Sequence, residues 1–275
     1  MRADTDFSKV HNLVGDLGLH TVCRSAKCPN IHECWGRNTA TFMILGNLCT
    51  RACRFCSVPA GRPLAVDRDE PRRVAEACAQ MGLKHVVLTC VTRDDLSDGG
   101  AEIFAQTIMA IREKLPGTAI EVLTSDFQGD TNAVAMVLDA RPDVFSHNLE
   151  TVLRLQAVIR PQASYGHSLS VLKYASEWPA RTVIKSGIMV GLGETDDEVF
   201  ATMRDLFDNG VKLLTVGQYL QPTRNHRAVD RYVSPEVFQS YGERAKEIGF
   251  DGVASGPMVR SSYRADELLA LARAN

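Results

Sequence analysis

The sequence lacks any long run of apolar residues. Its most apolar stretches, at residues 41–46 and 85–91, are far shorter than the roughly 20 residues of a membrane-spanning helix. Residues 1–9 are polar and mixed in charge, without a positively charged segment that leads into an apolar stretch. Such a start is typical of neither a secretory signal nor a transit peptide, so we expect a cytoplasmic protein with no membrane partner.

An excess of charge of one sign is also missing. The chain has 31 Lys and Arg against 33 Asp and Glu, for a net charge of -2. This balance gives no electrostatic reason to expect nucleic acid or an anionic membrane as a partner. Internal repeats, low-complexity tracts and linkers are absent as well. With 45% hydrophobic residues in 275, the chain can bury one full core, and its length fits a single main α/β domain.

Cysteine is rare outside one short region. Six of the eight cysteines lie between Cys23 and Cys56, and only Cys78 and Cys90 follow. In a reducing cytosol disulfides are rare, and clustered thiols more often bind metal or act in catalysis. Cys78, on a helical apolar stripe, and Cys90, in an apolar run, are predicted to be small core residues.

Short β-type runs alternate with helical apolar spacing along the rest of the chain. The predicted strands occupy residues 41–46, 85–91, 119–124, 143–149, 182–190 and 213–219. Thr195 and Glu198 predict a capping box. Ser234, Pro235 and Gly249 predict the N-cap, first residue and end of a later helix.

Six β-then-α units in a row predict a parallel sheet with helices outside it. Periodicity alone leaves open whether the sheet is doubly wound or curled into a full or partial barrel. In either case ligand sites are expected at the carboxyl ends of the strands. We divide the chain into an N-terminal extension (residues 1–40), a central domain (residues 41–255) and a C-terminal extension (residues 256–275).

Cys49, Cys53 and Cys56 form a C-x3-C-x2-C triplet directly after the first predicted strand. Three thiolates on one loop can hold three irons of a 4Fe–4S cube. Because no fourth local cysteine is present, the fourth iron would be open to a ligand from outside the protein. A structural zinc site usually pairs two C-x2-C units or adds histidines. We therefore favour a cluster over zinc, and zinc over buried packing cysteines.

A second triplet, Cys23, Cys28 and Cys34, has the pattern C-x4-C-x5-C. It again offers three thiolates to a cube, so a second 4Fe–4S cluster is the simplest interpretation. His32 lies between two of these cysteines, which make it unnecessary as a ligand.

The first triplet is the hallmark of the radical S-adenosylmethionine (SAM) enzymes, and with the second triplet the chain resembles the lipoyl synthase family. The resemblance extends from about Leu19 to Ala265. The other short segments that match the family lie at residues 20–23, 28–31, 33–35, 40–46, 93–96, 98–100, 147–151, 217–222 and 256–263. So many separate matching segments, all in the same order as in the family, make a chance match implausible.

The resemblance implies a partial (β/α)6 barrel of the TIM type with cluster-binding extensions at both ends. It implies that SAM binds the open iron. One electron from the cluster would then cleave SAM and yield a 5′-deoxyadenosyl radical. It also implies that the substrate is an octanoyl chain on a carrier lysine, which receives sulfur at C6 and C8. The second, auxiliary cluster would be the sacrificial sulfur source.

The resemblance also assigns the ligands of both clusters. In the family, the second serine of the word Arg-Ser-Ser-Tyr, here Ser262, binds the fourth iron of the auxiliary cluster. A serine alkoxide is an unusual iron ligand and could detach when sulfur is released. The radical SAM cluster is assigned to Cys49, Cys53 and Cys56, and the auxiliary cluster to Cys23, Cys28, Cys34 and Ser262.

Candidate contacts to SAM lie at the ends of predicted strands. Gly99 and Gly100 occupy the place of the family's glycine-rich segment near the methionine end of SAM, or form a simple turn. Asn148 and Glu150 could contact the ribose or amino group. Lys185 lies in an apolar strand and needs a buried partner, for which the SAM carboxylate is a candidate. Each of these three residues is equally explained as a surface residue at the end of a strand.

The resemblance also implies partners. These are octanoylated lipoyl carrier domains (the acyltransferase component of 2-oxoacid dehydrogenases and the glycine-cleavage carrier protein), an electron donor such as ferredoxin or flavodoxin, and an iron–sulfur carrier that rebuilds the auxiliary cluster. A monomer is expected. The chain departs from the family at Arg24, at Gln162 and after His226. His226, with Arg224 and Arg227, is predicted to lie on a solvated basic loop rather than on a carrier contact.

Two other functions fit part of the sequence. An enzyme similar to biotin synthase, acting on a free small molecule, would use the first triplet but not the second or the serine. A cluster carrier or a zinc-stabilised interaction module would need no open iron and would not cleave SAM.

Overall fold

A computed structural model describes residues 2–36 and 39–274. Its central feature is an eight-stranded sheet whose strands are ordered as in the sequence. The first strand, β1, is antiparallel to β2, and all later neighbours are parallel. The strands are β1 (His20–Thr21), β2 (Thr41–Ile44), β3 (His85–Cys90), β4 (Ala119–Leu123), β5 (Val144–Ser146), β6 (Val183–Val190), β7 (Leu213–Gln218) and β8 (Gly252–Gly256).

The sheet does not close on itself within residues 2–36 and 39–274, because β8 pairs only with β7. The fold is thus an open, partial barrel, as the family resemblance implies. Helices cover its outer face or extend it at the two ends. They are α1 (Arg2–Asp16), α2 (Val22–Ser25), α3 (Ile31–Gly36), α4 (Glu70–Met81), α5 (Ala101–Lys114), α6 (Thr131–Asp139), α7 (Gln156–Ile159), α8 (Tyr165–Ser176), α9 (Asp196–Asp208), α10 (Pro235–Ile248) and α11 (Ala265–Ala274).

All six predicted strands are present as β2 to β7, and the structure adds β1 and β8. These two were missed because β1 is two residues long and β8 carries a glycine at each end, so neither resembles a β-type run. The predicted domain boundaries stay predictions, and β8 crosses the second of them at residue 255.

Helix ends follow the predicted local chemistry. Glu198 N donates to Thr195 Oγ1 at 3.3 Å, and Thr195 N donates to Glu198 Oε2 at 2.9 Å, which completes the capping box of α9. Helix α10 begins at Pro235 and ends at Gly249, which has a φ of 117°. Such a left-handed residue is the usual end of a helix, and glycine adopts it without strain.

The predicted core cysteines differ in their surroundings. Cys78 is fully buried, and its burial raises the pKa of the thiol to about 12. Cys90 is partly buried at the end of β3, where it contributes to the wall of the main cavity near Cys49. The prediction is confirmed for Cys78, whereas Cys90 packs against the core and also lines the cavity.

The N-terminal and C-terminal helices pack against different elements. Helix α1 packs on α3, where the ring of Phe7 stacks on His32 at 4.6 Å and contacts the buried Trp35 at 5.1 Å. Helix α11 packs against β3, β7 and β8. It therefore bridges strands from both sides of the gap. None of the helices in the described ranges is long and apolar enough to cross a membrane.

Candidate active site

One cavity of about 520 Å³ collects the predicted cluster ligands. It opens at the carboxyl ends of the parallel strands and continues into the barrel, where Val87, Leu123 and Met189 form part of its wall. The predicted ligands on its wall are Cys23, Cys28, Cys34, Cys49, Cys53, Cys56 and Ser262. Residues that are far apart in the sequence thus face one space.

The segment from Cys49 to Cys56, here called the cluster loop, is fixed to the barrel by backbone hydrogen bonds. Cys49 N donates to the Pro59 carbonyl at 2.9 Å, and Thr50 N donates to the Thr92 carbonyl, beyond β3, at 3.1 Å. All eight cysteines are free. The loop therefore presents three thiols from a fixed backbone.

The thiols of the cluster loop lie close enough to disfavour each other's ionisation. Burial, together with the neighbouring Cys53 and Cys49, raises the pKa of Cys56 to about 12. Burial also raises the pKa of Cys53, which Arg160 opposes. A bound cation reverses this preference by deprotonating its thiol ligands. The convergent soft donors therefore fit an iron–sulfur cluster.

A single metal ion fits the described residues less well. Among residues 2–36 and 39–274, no group of three His, Cys, Asp or Glu side chains is placed to hold one metal ion. The zinc alternative thus has no ligand set in this part of the chain.

Arg51, inside the cluster loop, was not singled out from the sequence. Its guanidinium is 5% exposed and donates to both oxygens of Asp94, at 2.7 and 2.9 Å, and of Asp126, at 2.7 and 2.9 Å. Burial alone would raise the pKa of Asp126, but the hydrogen bonds from Arg51 lower it to about 2. Paired bidentate contacts of this kind fix orientation. Arg51 therefore ties the loop to the segments after β3 and β4.

The second triplet lies on α2, α3 and the turn between them. Burial, together with the nearby Cys23 and Cys28, raises the pKa of Cys34 to about 11. Burial likewise raises the pKa of Cys23, with a further contribution from Cys28. These three thiols therefore also converge, as the ligands of a second cluster would.

The C-terminal segment that carries Ser262 is tied to the second triplet. Asn30 Nδ2 donates to the Met258 carbonyl at 2.7 Å, and Tyr263 OH donates to Glu33 Oε1 at 3.0 Å. Burial lowers the pKa of Arg260, and the adjacent Cys28 opposes this effect. Ser262 thus lies on the same cavity wall as the triplet.

Gly217 allows this segment to approach the barrel. A Cβ atom at Gly217 would overlap the carbonyl oxygen of Val259. Glycine on β7 is therefore required for the C-terminal segment to lie directly against the strand.

Asn148 and Glu150, two of the predicted SAM contacts, line the cavity. Asn148 Oδ1 is buried without a hydrogen-bond donor among the described residues. Leaving such an oxygen unsatisfied costs about 1–3 kcal/mol, so the site suits a ligand that brings a hydroxyl or amine. Glu150 has a φ of 69°, and burial raises its pKa although Arg160 opposes this. Their contacts to SAM stay predictions.

Gly99 and Gly100 are absent from the cavity wall in the part of the chain that the structure describes. Both have positive φ, at 60° and 90°, and a Cβ atom on Gly100 would overlap Leu45. In the structure these two glycines form a tightly packed turn before α5.

Lys185 has its buried partner within the protein. Its Nζ is fully buried and donates to Glu121 Oε1 at 2.8 Å. Among the described residues it is not part of the cavity wall. Glu121 is thus the buried partner that Lys185 has within the protein, and a contact of Lys185 to SAM stays a prediction. The sequence did offer a signal for this pair, because Glu121 is an acidic residue within the otherwise apolar strand β4.

His226 has a more specific contact than the solvated basic loop predicted for it. Its Nε2 donates to the Cys56 carbonyl at 2.9 Å, and its Nδ1 lies 2.8 Å from Thr223 Oγ1. Sequence spacing gave no signal for this contact, because His226 and Cys56 are 170 residues apart.

The partial barrel with an open thiol triplet defines a radical SAM enzyme. Residues 43–206 match the family model of the Radical SAM superfamily. A solved structure of HydG, a maturase of the FeFe-hydrogenase, is similar in fold, with a TM-score of 0.63 and 15% identity over 98% of this chain and 66% of that one.

Comparison with individual relatives shows which radical SAM family the chain belongs to. The chain is 56% identical to a lipoyl synthase of Rubrobacter xylanophilus, over 95% of this chain and 81% of the relative. It is 54% identical to a lipoyl synthase of Symbiobacterium thermophilum, over 97% and 83%. The chain belongs to the lipoyl synthase family.

Proposed function

We propose that this enzyme inserts two sulfur atoms, at C6 and C8, into an octanoyl chain carried on a protein lysine. Two SAM molecules would be spent, one for each hydrogen removed. The auxiliary cluster, held by Cys23, Cys28, Cys34 and Ser262, would be the sulfur source. The observation that carries the proposal is that both thiol triplets and Ser262 line the same cavity.

The cavity suits a chain that must be reached from two sides. The cluster loop lies after β2, and the second triplet lies on the N-terminal extension. A substrate carbon between them would be near both a radical source and a sulfur source. Val87, Leu123 and Met189 give the cavity an apolar wall, which suits an octanoyl chain.

Each part of the protein has a distinct task at this site. Cys49, Cys53 and Cys56 would hold the radical SAM cluster. When bound, that cluster supplies the electron that cleaves SAM to a hydrogen-abstracting carbon radical. Arg51 holds the cluster loop in place through Asp94 and Asp126, so the three thiols keep one geometry.

Ser262 would complete the auxiliary ligand set. It lies on a segment held by contacts between Asn30 and Met258 and between Glu33 and Tyr263. An oxygen ligand on a segment held in this way could leave the cluster without movement of the barrel. This arrangement favours the lipoyl synthase reaction over one similar to biotin synthase, which would need neither the second triplet nor the serine.

Partners follow from the proposed reaction. The octanoyl group would arrive on a lipoyl carrier domain of a 2-oxoacid dehydrogenase acyltransferase component or on the glycine-cleavage carrier protein. Ferredoxin or flavodoxin would supply electrons, and an iron–sulfur carrier would rebuild the auxiliary cluster. We expect the enzyme to act as a monomer in the cytoplasm, where its eight free cysteines stay reduced.

Mass spectrometry of an octanoyl-lysine peptide tests the proposal. The peptide is incubated anaerobically with reconstituted enzyme, SAM and a strong reductant. We expect a gain of two sulfurs. Ser262→Ala and Cys28→Ala should abolish this gain while 5′-deoxyadenosine still forms, because the radical cluster has its own ligands.

Two results would contradict the proposal at different points. Deoxyadenosine without sulfur on the peptide would retain radical chemistry but exclude the octanoyl substrate. No deoxyadenosine, from a sample with iron and sulfide counts for two clusters, would exclude radical SAM chemistry altogether.

A further inference from the structure

Three segments that are distant in the sequence meet beside the cluster loop. Ser57 Oγ donates to the Ser25 carbonyl at 2.7 Å, so residues 24–27 lie against residues 54–57. Arg227 N donates to the Arg54 carbonyl at 2.9 Å, so residues 223–227 lie against the same stretch. Residues of the first two segments line the cavity, and the third segment lies directly beside them.

The edge that the three segments form is basic. The exposed cations on the three segments, here called the basic rim, are Arg24, Lys27, Arg54, Arg224 and Arg227. Residues 22–31, 48–66 and 219–229 contain no Asp or Glu. The rim therefore has no acidic neighbour along its own chain segments.

In the described part of the chain the rim cations make no ion pairs, in contrast to several other exposed arginines. Within residues 2–36 and 39–274, none of the five makes an ion pair. By contrast, Arg68, Arg72 and Arg154 pair with Glu102, Asp69 and Glu198 at 2.7 to 2.8 Å. The chain has a net charge of -2, but five unpaired cations on one edge give that edge a positive electrostatic potential.

The rim leads into the cavity. Leu220 and Pro222, which precede residues 223–227, are part of the cavity wall. His226 holds the same loop against the Cys56 carbonyl. A partner bound at the rim would therefore be placed beside the entrance and next to the radical cluster.

We propose that the basic rim docks an acidic face of the protein domain that delivers the acyl-lysine. This inference rests on the proposed function, since it assumes a protein-borne substrate. Charge complementarity at such a rim speeds association and fixes orientation more than it adds contact energy. The lysine arm of the docked domain would then enter past Leu220 toward the cavity.

Binding of an unreacted carrier domain to the cluster-loaded enzyme tests the proposal without catalysis. The probe is an acidic lipoyl carrier domain with its lysine unmodified, titrated by calorimetry at low and moderate salt. Reversing two rim charges, in Arg224→Glu/Arg227→Glu, should raise Kd roughly tenfold at low salt and flatten its salt dependence. The KM for a short octanoyl-lysine peptide should change less than about twofold, because the peptide carries no acidic face.

Two matched variants separate docking from general charge effects. Arg181 and Arg204 are exposed, lie before β6 and on α9, and make no ion pair among the described residues. Arg181→Glu/Arg204→Glu therefore changes the net charge equally and should leave Kd unchanged. Arg224→Lys/Arg227→Lys keeps the charge and should retain carrier binding.

Three outcomes would overturn the proposal. Equal losses for carrier and peptide would show that the rim acts on the clusters rather than on docking. An unchanged Kd in the charge-reversed variant would show that the rim is only a solvated surface. Tighter binding of the enzyme to a nucleic acid duplex than to the carrier would assign the rim to another partner. Failure of the wild type to add sulfur to the peptide would instead refute the proposed function and leave the carrier titration interpretable.

Discussion

The two thiol triplets are held in place in different ways. The cluster loop is held from within the barrel by Arg51, whose guanidinium and its partner Asp126 are 5% and 1% exposed. The second triplet is held by contacts between the two ends of the chain, such as the ion pair of Glu33 with Arg264, which are 43% and 47% exposed. Buried charge pairs are costly to break, whereas exposed pairs contribute little.

This difference suits the two proposed tasks. A cluster that generates a radical in every turnover benefits from a fixed position relative to its substrate. A cluster that gives up sulfur must be opened and rebuilt, and a site assembled from two chain ends can open without disturbing the barrel. If the first site is rigid and the second loosely held, substitutions at the two sites should differ in their effects.

The largest effect is expected from Arg51→Met, which removes the buried anchor of the cluster loop. It leaves Asp126 buried without its partner, and breaking such a pair costs about 3–5 kcal/mol in the free energy of unfolding. Urea unfolding of wild type and variant measures this loss. Arg264→Met serves as control at the second site. A similar loss in both variants would remove the distinction between the two sites.

A second test forces the chain ends apart. Gly217→Ala places a Cβ atom against the Val259 carbonyl, and such overpacking costs up to about 3 kcal/mol. We expect the displaced C-terminal segment to lower iron content at the second site while deoxyadenosine formation continues. Iron counts and product analysis measure both. Gly242→Ala, which has only an ordinary contact with Ser255 at 3.5 Å, is the matched control on α10.

The outline of the fold could be predicted from sequence, because β2 to β7 are apolar runs bounded by turns and helix stripes. The cluster ligands could be predicted because thiol spacing within one loop is a local property. The contacts that the structure shows for Arg51, Lys185 and His226 could not be predicted. Their partners, Asp126, Glu121 and Cys56, come from other strands or loops, and a single sequence does not reveal which charged residues face each other.

The pH dependence of unfolding provides a third test of the buried anchor. The pKa of Asp126 is lowered from 3.8 to about 2 in the folded state. Its carboxylate therefore stabilises the fold above about pH 4, and this contribution, about 2 kcal/mol, is lost as the pH falls toward 2. Urea midpoints of the metal-free protein between pH 5 and pH 2.5 measure the slope. Asp126→Asn should flatten it, and an unchanged slope would assign the acid sensitivity to other groups.

The smallest effect on stability is expected at the exposed second site. Glu33→Gln weakens the contacts to Tyr263 and Arg264, and the loss in unfolding free energy should stay below about 1 kcal/mol because Glu33 and Arg264 are exposed. The effect on the cluster should be larger than the effect on the fold. We expect a chelator to remove iron from the second site severalfold faster in this variant, with the rate at the cluster loop unchanged. Equal acceleration at both sites would mean that the chain ends also hold the cluster loop.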